Sequence, residues 1–496
     1  MKIPKRFWIL LDVAVVSALA YSSTIMFSFN GGDSPYTDDT GEFQLALTLW
    51  GVPHHTGYPL YMLLGSPFVN LLRLFGIPPA LGSSLFSMMW TLIAVVGVAM
   101  IVWRLTQRHE DTKSQSLFIV HSSLFIALVF ALTRSIRIHA SIAEVYALNM
   151  AFEVAIIWLT LDLMEKWDDK KGWLLALVGG LGVAHHRLVA MGLPVVGLML
   201  LPMALGSKGN KGNGGKSSLI SLSSLVSFAK WFAISIPFFL LGFLPYLDIM
   251  RRIASGATWV YGKTDSWQGL WNLFTASEVS DWQKPVFDLA TIAQNFVDII
   301  NVLGNELTWF GFAAATLGTL IAIIAPRTRK PALLFSSIAL SYVVFTALVR
   351  KAVMIEANLM FVSLALLLGA TLGLNQILNR EDAKGAKILN IPLRVLRAFA
   401  VFALLVWATT LFVVHRDSVL ALTRNPQSID YVSQIEKIEA PANSYIMAPW
   451  GWRYFGLSYA NLIEGRLKGF TIIDHNADYG ALASKTDSIY TYYDTF

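Results

Sequence analysis

The chain reads as an all-α protein that crosses a membrane many times. Of its 496 residues, 55% are hydrophobic and only 14% are charged, whereas a soluble globular domain carries about 25% charged residues. Apolar runs of span length recur from one end to the other. The runs are continuous rather than alternating, which excludes an outer-membrane barrel. The same figures exclude a soluble enzyme, a disordered chain and a coiled coil. With no cysteine there is no disulfide framework, thiolate zinc site or thiol nucleophile. No basic stripe with interleaved aromatics points to nucleic acid.

At roughly 20 residues per span, the runs predict about eleven helices near 7–29, 82–103, 116–133, 143–164, 173–186, 188–204, 229–248, 306–325, 332–349, 353–374 and 395–414. The first follows a basic N-terminus, but it is long enough to span and no small-residue cleavage site closes it, so it reads as a retained helix. One apolar stretch, 57–75, is left over. It contains Gly57, Pro59, Gly65, Pro67 and Arg73.

Charge decides its place. If 57–75 lies flat in the interface and the N-terminus is cytoplasmic, the cytoplasmic loops collect Arg104, Lys166, Lys170, Lys171, Arg327, Lys330, Arg394, Arg397 and more. The outer loops, though longer in total, carry about half as many basic residues. That is the positive-inside pattern, and a spanning 57–75 would invert it at most later loops. Residues 1–414 then form a membrane module with two large outer loops, 30–81 (with interfacial helices) and 249–305. Residues 415–496 form a small extracytoplasmic α/β domain, with strands expected at Ser444–Ala448 and 470–473. The chain stops inside an aromatic run, so this domain reads as incomplete. Residues 206–218 are a Gly/Ser/Lys linker.

Polar residues that recur on the outer side carry the chemistry. The first loop holds Asp33, Asp38, Asp39 and Glu42, then His54, His55 and Tyr58. Asp39 and Glu42 are three apart at the start of a predicted helix. Paired carboxylates share a proton, hold a metal, or leave one as a general base. Helix capping inside an acidic, solvated loop explains them equally well. A second cluster runs Arg134, Arg137, His139, Glu144, Tyr146 and Asn149 into a span, where Glu144 suits the helix dipole. Glu153 lies roughly 13 Å deeper and needs a partner that the sequence does not name.

A third cluster is His185-His186-Arg187. Two adjacent histidines face different ways on a helix and make a weak metal signal. Arg187 suits a phosphate, or simply snorkels. A fourth contains Arg251, Arg252, Trp259, Tyr261, Lys263 and Trp267, whose aromatics form an interfacial belt or stack on a sugar. Arg350, Lys351 and Glu356 form a further outer group.

Together these motifs resemble the domain-of-unknown-function 2723 family of membrane glycosyltransferases, which includes a protein O-mannosyltransferase. The family's G-D-S-G-E and H-P-P-G-Y-P appear as Asp38-Asp39-Thr40-Gly41-Glu42 and His54-His55-Thr56-Gly57-Tyr58-Pro59. Its I-A-E-V-Y-A-L-N is intact at 142–149. Its G-L-x-L-x-N-H-H-T is similar to 180–187, and its G-L-L-P-Y-L and N-W-G-D-P to 242–247 and 260–264. The order is kept over roughly residues 1–280. His55-Thr56 replaces Pro-Pro, Ala184 replaces Asn, Arg187 replaces Thr and Lys263 replaces Asp.

The resemblance implies a glycosyltransferase C fold, a polyprenyl-phosphate sugar donor (a mannose-like hexose) and transfer on the extracytoplasmic face. It implies Asp39 as the catalytic base, with Glu42 as partner or substitute. Asp38, His54, His55, Tyr58, Glu144, Tyr146, Asn149, His185, His186, Arg187, Arg251 and Tyr261 are the residues expected to bind substrate. Arg187 or Arg251 would meet the departing phosphate, and 57–75 with the spans would hold the lipid tail. No metal or other cofactor is required; a divalent cation on Asp38, Asp39 and His54 is allowed. The expected partners are the lipid-linked donor, a protein, glycan or lipid acceptor, the bilayer and other subunits of a membrane complex. The expected location is the plasma membrane, with the N-terminus cytoplasmic. Two other readings stand beside this one. A catalytically silent scaffold subunit is consistent with the substituted motifs. A transporter is opposed by the lack of an internal repeat.

Overall fold

A computed structural model describes residues 5–29, 31–107, 113–209, 222–262, 264–350, 354–378, 393–441, 443–474, 477–486 and 488–491. Most of the 206–218 linker, Lys263, Lys351 and the terminal aromatic run lie outside the described residues.

Every one of the eleven predicted spans falls on a helix. Six apolar helices among the described residues are long enough to cross a membrane: Pro79–Gln107, Tyr146–Glu165, Leu225–Ala254, Arg329–Leu348, Ile355–Leu378 and Arg394–Ile435. Two more spans arise if each bent pair counts once: Val120–Ala131 with Arg134–Ser141, bent by 69°, and Leu289–Leu307 with Trp309–Ile324, bent by 102°. The other three predicted spans correspond to shorter helices, Lys5–Ser22, Asp169–His185 and Leu193–Gly209. The first stops well before residue 29 because Ser23 and Thr24 turn their hydroxyls back onto the carbonyls of Ala20 and Tyr21, at 2.6 and 3.2 Å. The span expected at 188–204 opens instead as a 3₁₀ turn, Arg187–Met191, before its helix begins.

Small residues let these helices approach closely, as packing inside a bilayer requires. A Cβ on Gly180 would lie 2.0 Å from the carbonyl oxygen of Phe239, and one on Gly242 would lie 2.3 Å from the backbone of Gly180. The helices Asp169–His185 and Leu222–Leu241 therefore cross backbone against backbone.

The leftover stretch forms the 16-residue helix Pro59–Leu74, which is not among those long and apolar enough to span. Its Tyr61, Met62, Gly65 and Val69 are buried, while Leu64, Leu71, Leu74 and the following Phe75 are exposed beside Arg73. This is the two-faced pattern of a helix lying in an interface.

The tail carries a three-stranded parallel sheet of Ser444–Ala448, Phe470–Asp474 and Ile489–Thr491, with the first strand in the centre. Two of the strands are those the sequence predicts. The helix Leu393–Thr423 runs unbroken through residue 414, where the sequence suggests the module ends. The tail also shares its core with the segment 30–81: Val432, Ile446, Phe455 and Leu457 pack in one cluster with Phe43, Leu45, Leu47 and Tyr61. Gly41 is tight against this contact, since a Cβ there would meet that of Phe455 at 2.9 Å.

Candidate functional site

The site begins at the N-terminus of the helix Thr40–Leu49. Asp39 occupies the N-cap position, yet its side chain caps no backbone N–H. The capping explanation therefore fails for this residue, and its carboxylate, 30% exposed, is left to face His54. Glu42, one turn on, is fully buried.

At the far end of the helix, Trp50 adopts a left-handed conformation (φ 52°) and reverses the chain. The next residues are lashed to the loop 249–305: Val52 N–H donates to Trp259 O at 2.8 Å, and Tyr261 N–H donates to Val52 O at 2.9 Å. The returning chain lays His54 over Glu42. His54 donates its backbone N–H to Glu42 Oε1 at 3.0 Å, and its Nδ1 lies 2.5 Å from Oε2. The other ring nitrogen, Nε2, lies 3.7 Å from Asp39 Oδ2.

Electrostatics follow from this geometry. Burial disfavours a charged His54, but the carboxylates of Asp39 and Glu42 outweigh it and raise the imidazole pKa, so the ring stays cationic at neutral pH. Burial raises Asp39, against the opposing pull of the His54 charge. Glu144 is pushed up to about 8 by burial and then by the charge of Asp39. Burial first, then His54 and Arg187, pushes His55 down to about 3, so it is neutral.

Around this centre the other predicted residues divide. Tyr58 stands edge-on to His54, with ring centroids 5.5 Å apart, and stacks on His186 at 6.2 Å. Tyr146 lies 4.9 Å from His186. Glu144 accepts the Val145 N–H at 2.9 Å, and its backbone is held on both sides by the Ser87 hydroxyl at 3.1 Å. His185 meets Val145 O at 3.0 Å, which fixes it to the same bend. Arg187, half-buried, donates to Thr275 O at 2.7 Å and lies within the electrostatic reach of Tyr58 and His55. Tyr261 is 6.4 Å from His54 and 5.8 Å from His55, with its hydroxyl donating to Glu278 at 2.5 Å.

Three residues have other local partners. Asn149 turns to Glu153, donating from Nδ2 at 3.1 Å, and Tyr342 donates to the same oxygen at 2.7 Å. These are the partners the intramembrane carboxylate needs. Arg251 is exposed, pairs with Asp248 at 2.6 Å and reaches over the Trp50 ring at 5.7 Å. Asp38 accepts the backbone N–H of Trp452 at 3.1 Å, while Asp33 accepts the indole N–H of that residue at 2.6 Å. The acidic segment is thus the clamp between first loop and tail.

Sequence reasoning passed over Arg252 as a site residue. It is buried, donates to Gly51 O at the turn of the first loop, and pairs with Asp248 at 2.9 Å. It also missed Trp450, Trp452 and Tyr454. The two tryptophans flanking a glycine, Trp450-Gly451-Trp452, were the available signal. Asp39, Glu42 and His54 offer ligand atoms within 4.8 Å of one another. Two carboxylates and an imidazole suit a divalent cation, provided His54 gives up its proton and its bond to Glu42.

This helical architecture is similar to that of multi-pass membrane glycosyltransferases of the C type. The fold is shared with ArnT from Cupriavidus metallidurans, at 14% identity over 98% of this chain and 89% of that one. The TM-score is 0.58 for its apo crystal structure and 0.56 for the one bound to undecaprenyl phosphate. Residues 39–205 match the family described as the protein O-mannosyl-transferase TMEM260 N-terminal domain, which bears out the resemblance read from the motifs. No curated protein sequence matches the chain.

Proposed function

We propose that the chain transfers a mannose-like hexose from a polyprenyl phosphate to an acceptor hydroxyl on the extracytoplasmic face of the plasma membrane. One observation carries this reading. Asp39 stands uncapped and partly exposed at the start of a helix, backed by buried Glu42 and its partly buried, cationic partner His54. As the acceptor oxygen attacks the anomeric carbon, its proton passes to the Asp39 carboxylate. The bond between that carbon and the phosphate oxygen breaks, and the lipid phosphate leaves with the electron pair. A raised Asp39 is a better-matched base than a free aspartate. Arg187, and Arg251 at the mouth over Trp50, would meet the charge that develops on the phosphate. The undecaprenyl phosphate bound by ArnT supports a lipid phosphate as the donor's carrier.

The lipid tail would follow the interfacial helix Pro59–Leu74 and the spans. The N-terminus would be cytoplasmic, with 30–81, 249–305 and 415–496 outside and 1–414 as the membrane module. No obligatory metal is needed in this scheme, because His54 already supplies positive charge beside Asp39. A divalent cation, if bound, would sit on Asp39, Glu42 and His54.

The test is transfer from a synthetic polyprenyl-phosphate mannose by the purified chain, followed across pH. The base must be ionised, so kcat/KM should fall as pH drops through an apparent pKa above the ordinary aspartate range. Transfer that continues undiminished through that range would reject Asp39 as the base. No transfer at any pH would favour a silent subunit.

A further inference from the structure

A general base must hold one direction, yet little in its own segment holds Asp39. Its side chain makes no capping bond. The residues before it, 33–39, are bends and turns, in which Thr37 and Asp38 both donate their N–H to Ser34 O, at 2.9 and 3.1 Å. A segment with so few bonds of its own is kept in place by what it packs against.

What it packs against is one helix of the tail, Trp452–Leu462, and the contacts fall on both sides of Asp39. On the N-terminal side, Asp38 Oδ1 accepts the backbone N–H of Trp452 at 3.1 Å. That N–H is the first of its helix and has no intrahelical acceptor. The carboxylate also meets the positive end of the helix dipole. Gly451, at φ +115°, leaves room for the contact, since a Cβ there would fall 2.6 Å from Asp38 Oδ1. Asp33 accepts the indole N–H of Trp452 at 2.6 Å. On the C-terminal side, Gly41 lies so close to Phe455 that a Cβ would meet that of Phe455 at 2.9 Å. Asp39 is thus bracketed, at residues 38 and 41, by residues one turn apart on a single helix.

Attachment of the tail does not require Asp38, because Val432, Ile446 and Leu457 already share a core with Leu45, Leu47 and Tyr61. An acid placed between Asp33 and Asp39 is also repelled by both. A costly contact that the tail does not need is explained by what it does to its neighbour. The signature G-D-S-G-E has glycine where this chain has Asp38, and glycine has no side chain to make the bond.

We propose that Asp38 is a positioning residue: bonded to the first N–H of the helix Trp452–Leu462, it aims the Asp39 carboxylate and makes the tail part of the catalytic unit. The proposal rests on the transferase reading, with Asp39 as base, and adds to it the residue that holds that base in place.

Two amides read this geometry without turnover. The Trp452 N–H reports the latch. The Phe43 N–H makes the first bond of its own helix, to Asp39 O at 3.1 Å, and reports the seat of Asp39. Hydrogen exchange at single-residue resolution is measured on the full purified chain, beside transfer kinetics, for wild type, Asp38→Ala, Asp38→Asn and Gly451→Ala. In Asp38→Ala both amides should exchange about tenfold faster, the worth of one hydrogen bond. Its kcat should fall by about 10–10²-fold with donor KM unchanged, the usual effect of a misplaced catalytic group. Asp38→Asn keeps an acceptor oxygen and should recover part of both losses. Gly451→Ala forces the contact apart from the tail side and should reproduce Asp38→Ala, so the result does not depend on one variant folding. Faster exchange at Trp452 alone would overturn the proposal, because the tail would be tied without aiming Asp39. A parallel loss of donor binding and unfolding temperature would also overturn it, as the mark of a purely structural contact. Unchanged kcat in Asp38→Ala would overturn it and leave the transferase reading intact. A wild-type chain that transfers no sugar, while both amides loosen together in the variants, would sink the transferase reading and spare the latch.

Discussion

Replacing Asp39 with asparagine is expected to slow sugar transfer by about 10²–10⁴-fold, the usual contribution of a positioned general base. The substitution keeps size and shape. Asp39 makes no capping bond, so the helix Thr40–Leu49 loses little when the carboxylate becomes an amide. Its contact with His54, at 3.7 Å and 30% exposed, is worth no more than an ordinary partly exposed pair, about 0–1 kcal/mol. The loss should therefore appear in kcat with folding and donor KM nearly intact. A variant that unfolds, or one that turns over normally, would remove Asp39 from the reaction.

The second large effect is on stability. Glu42 is fully buried and makes both a backbone and a ring bond to His54. Glu42→Gln leaves the partly buried imidazolium with only the more distant Asp39 carboxylate. Breaking a buried ion pair on one side costs about 3–5 kcal/mol, which thermal unfolding in detergent would detect. The sign with pH follows from His54. Its pKa is raised in the fold above the ordinary 6.5, so its contribution is fully present below 6.5 and is lost as pH rises through the higher folded value. The gap between wild type and Glu42→Gln should thus be widest in mildly acidic buffer and narrow in strongly alkaline buffer. An unfolding temperature that does not move would show that the pair stabilises nothing.

Much of this was legible in the sequence because the signals were local. Each predicted apolar run falls on a helix, and six to eight helices among the described residues are long and apolar enough to cross a membrane; the helix Pro59–Leu74, which loop charges kept out of the predicted spans, has one buried and one exposed face. Asp39 and Glu42, three apart, share one helical turn. The Asn149–Glu153 bond joins residues four apart on one helix face, yet the sequence left Glu153 without a named partner.

What escaped depended on helix phase or on distant pairing. Arg251 and Arg252 look alike in the chain, but the helix Tyr246–Ala254 turns one to solvent and the other under the first loop. Nothing near Glu153 announces Tyr342, on another helix. The tail showed no recognisable site because its role emerges only when Trp452 meets Asp33 and Asp38 and Trp450 meets Tyr261. Hydropathy counts apolar length and is blind to where a helix bends, which is why only one helix of each pair kinked at 69° and 102° read as a span, near 116–133 and 306–325, while the helix Leu289–Leu307 was expected in the loop 249–305.

The most direct measurement is mass spectrometry of lipids extracted from the purified protein, wild type beside Asp39→Asn. A polyprenyl-phosphate hexose should accompany the protein and be enriched on the variant, where the donor binds but is not consumed. Only bulk phospholipid on both proteins, when the donor is present in the membranes they came from, would contradict a lipid-linked sugar as the substrate.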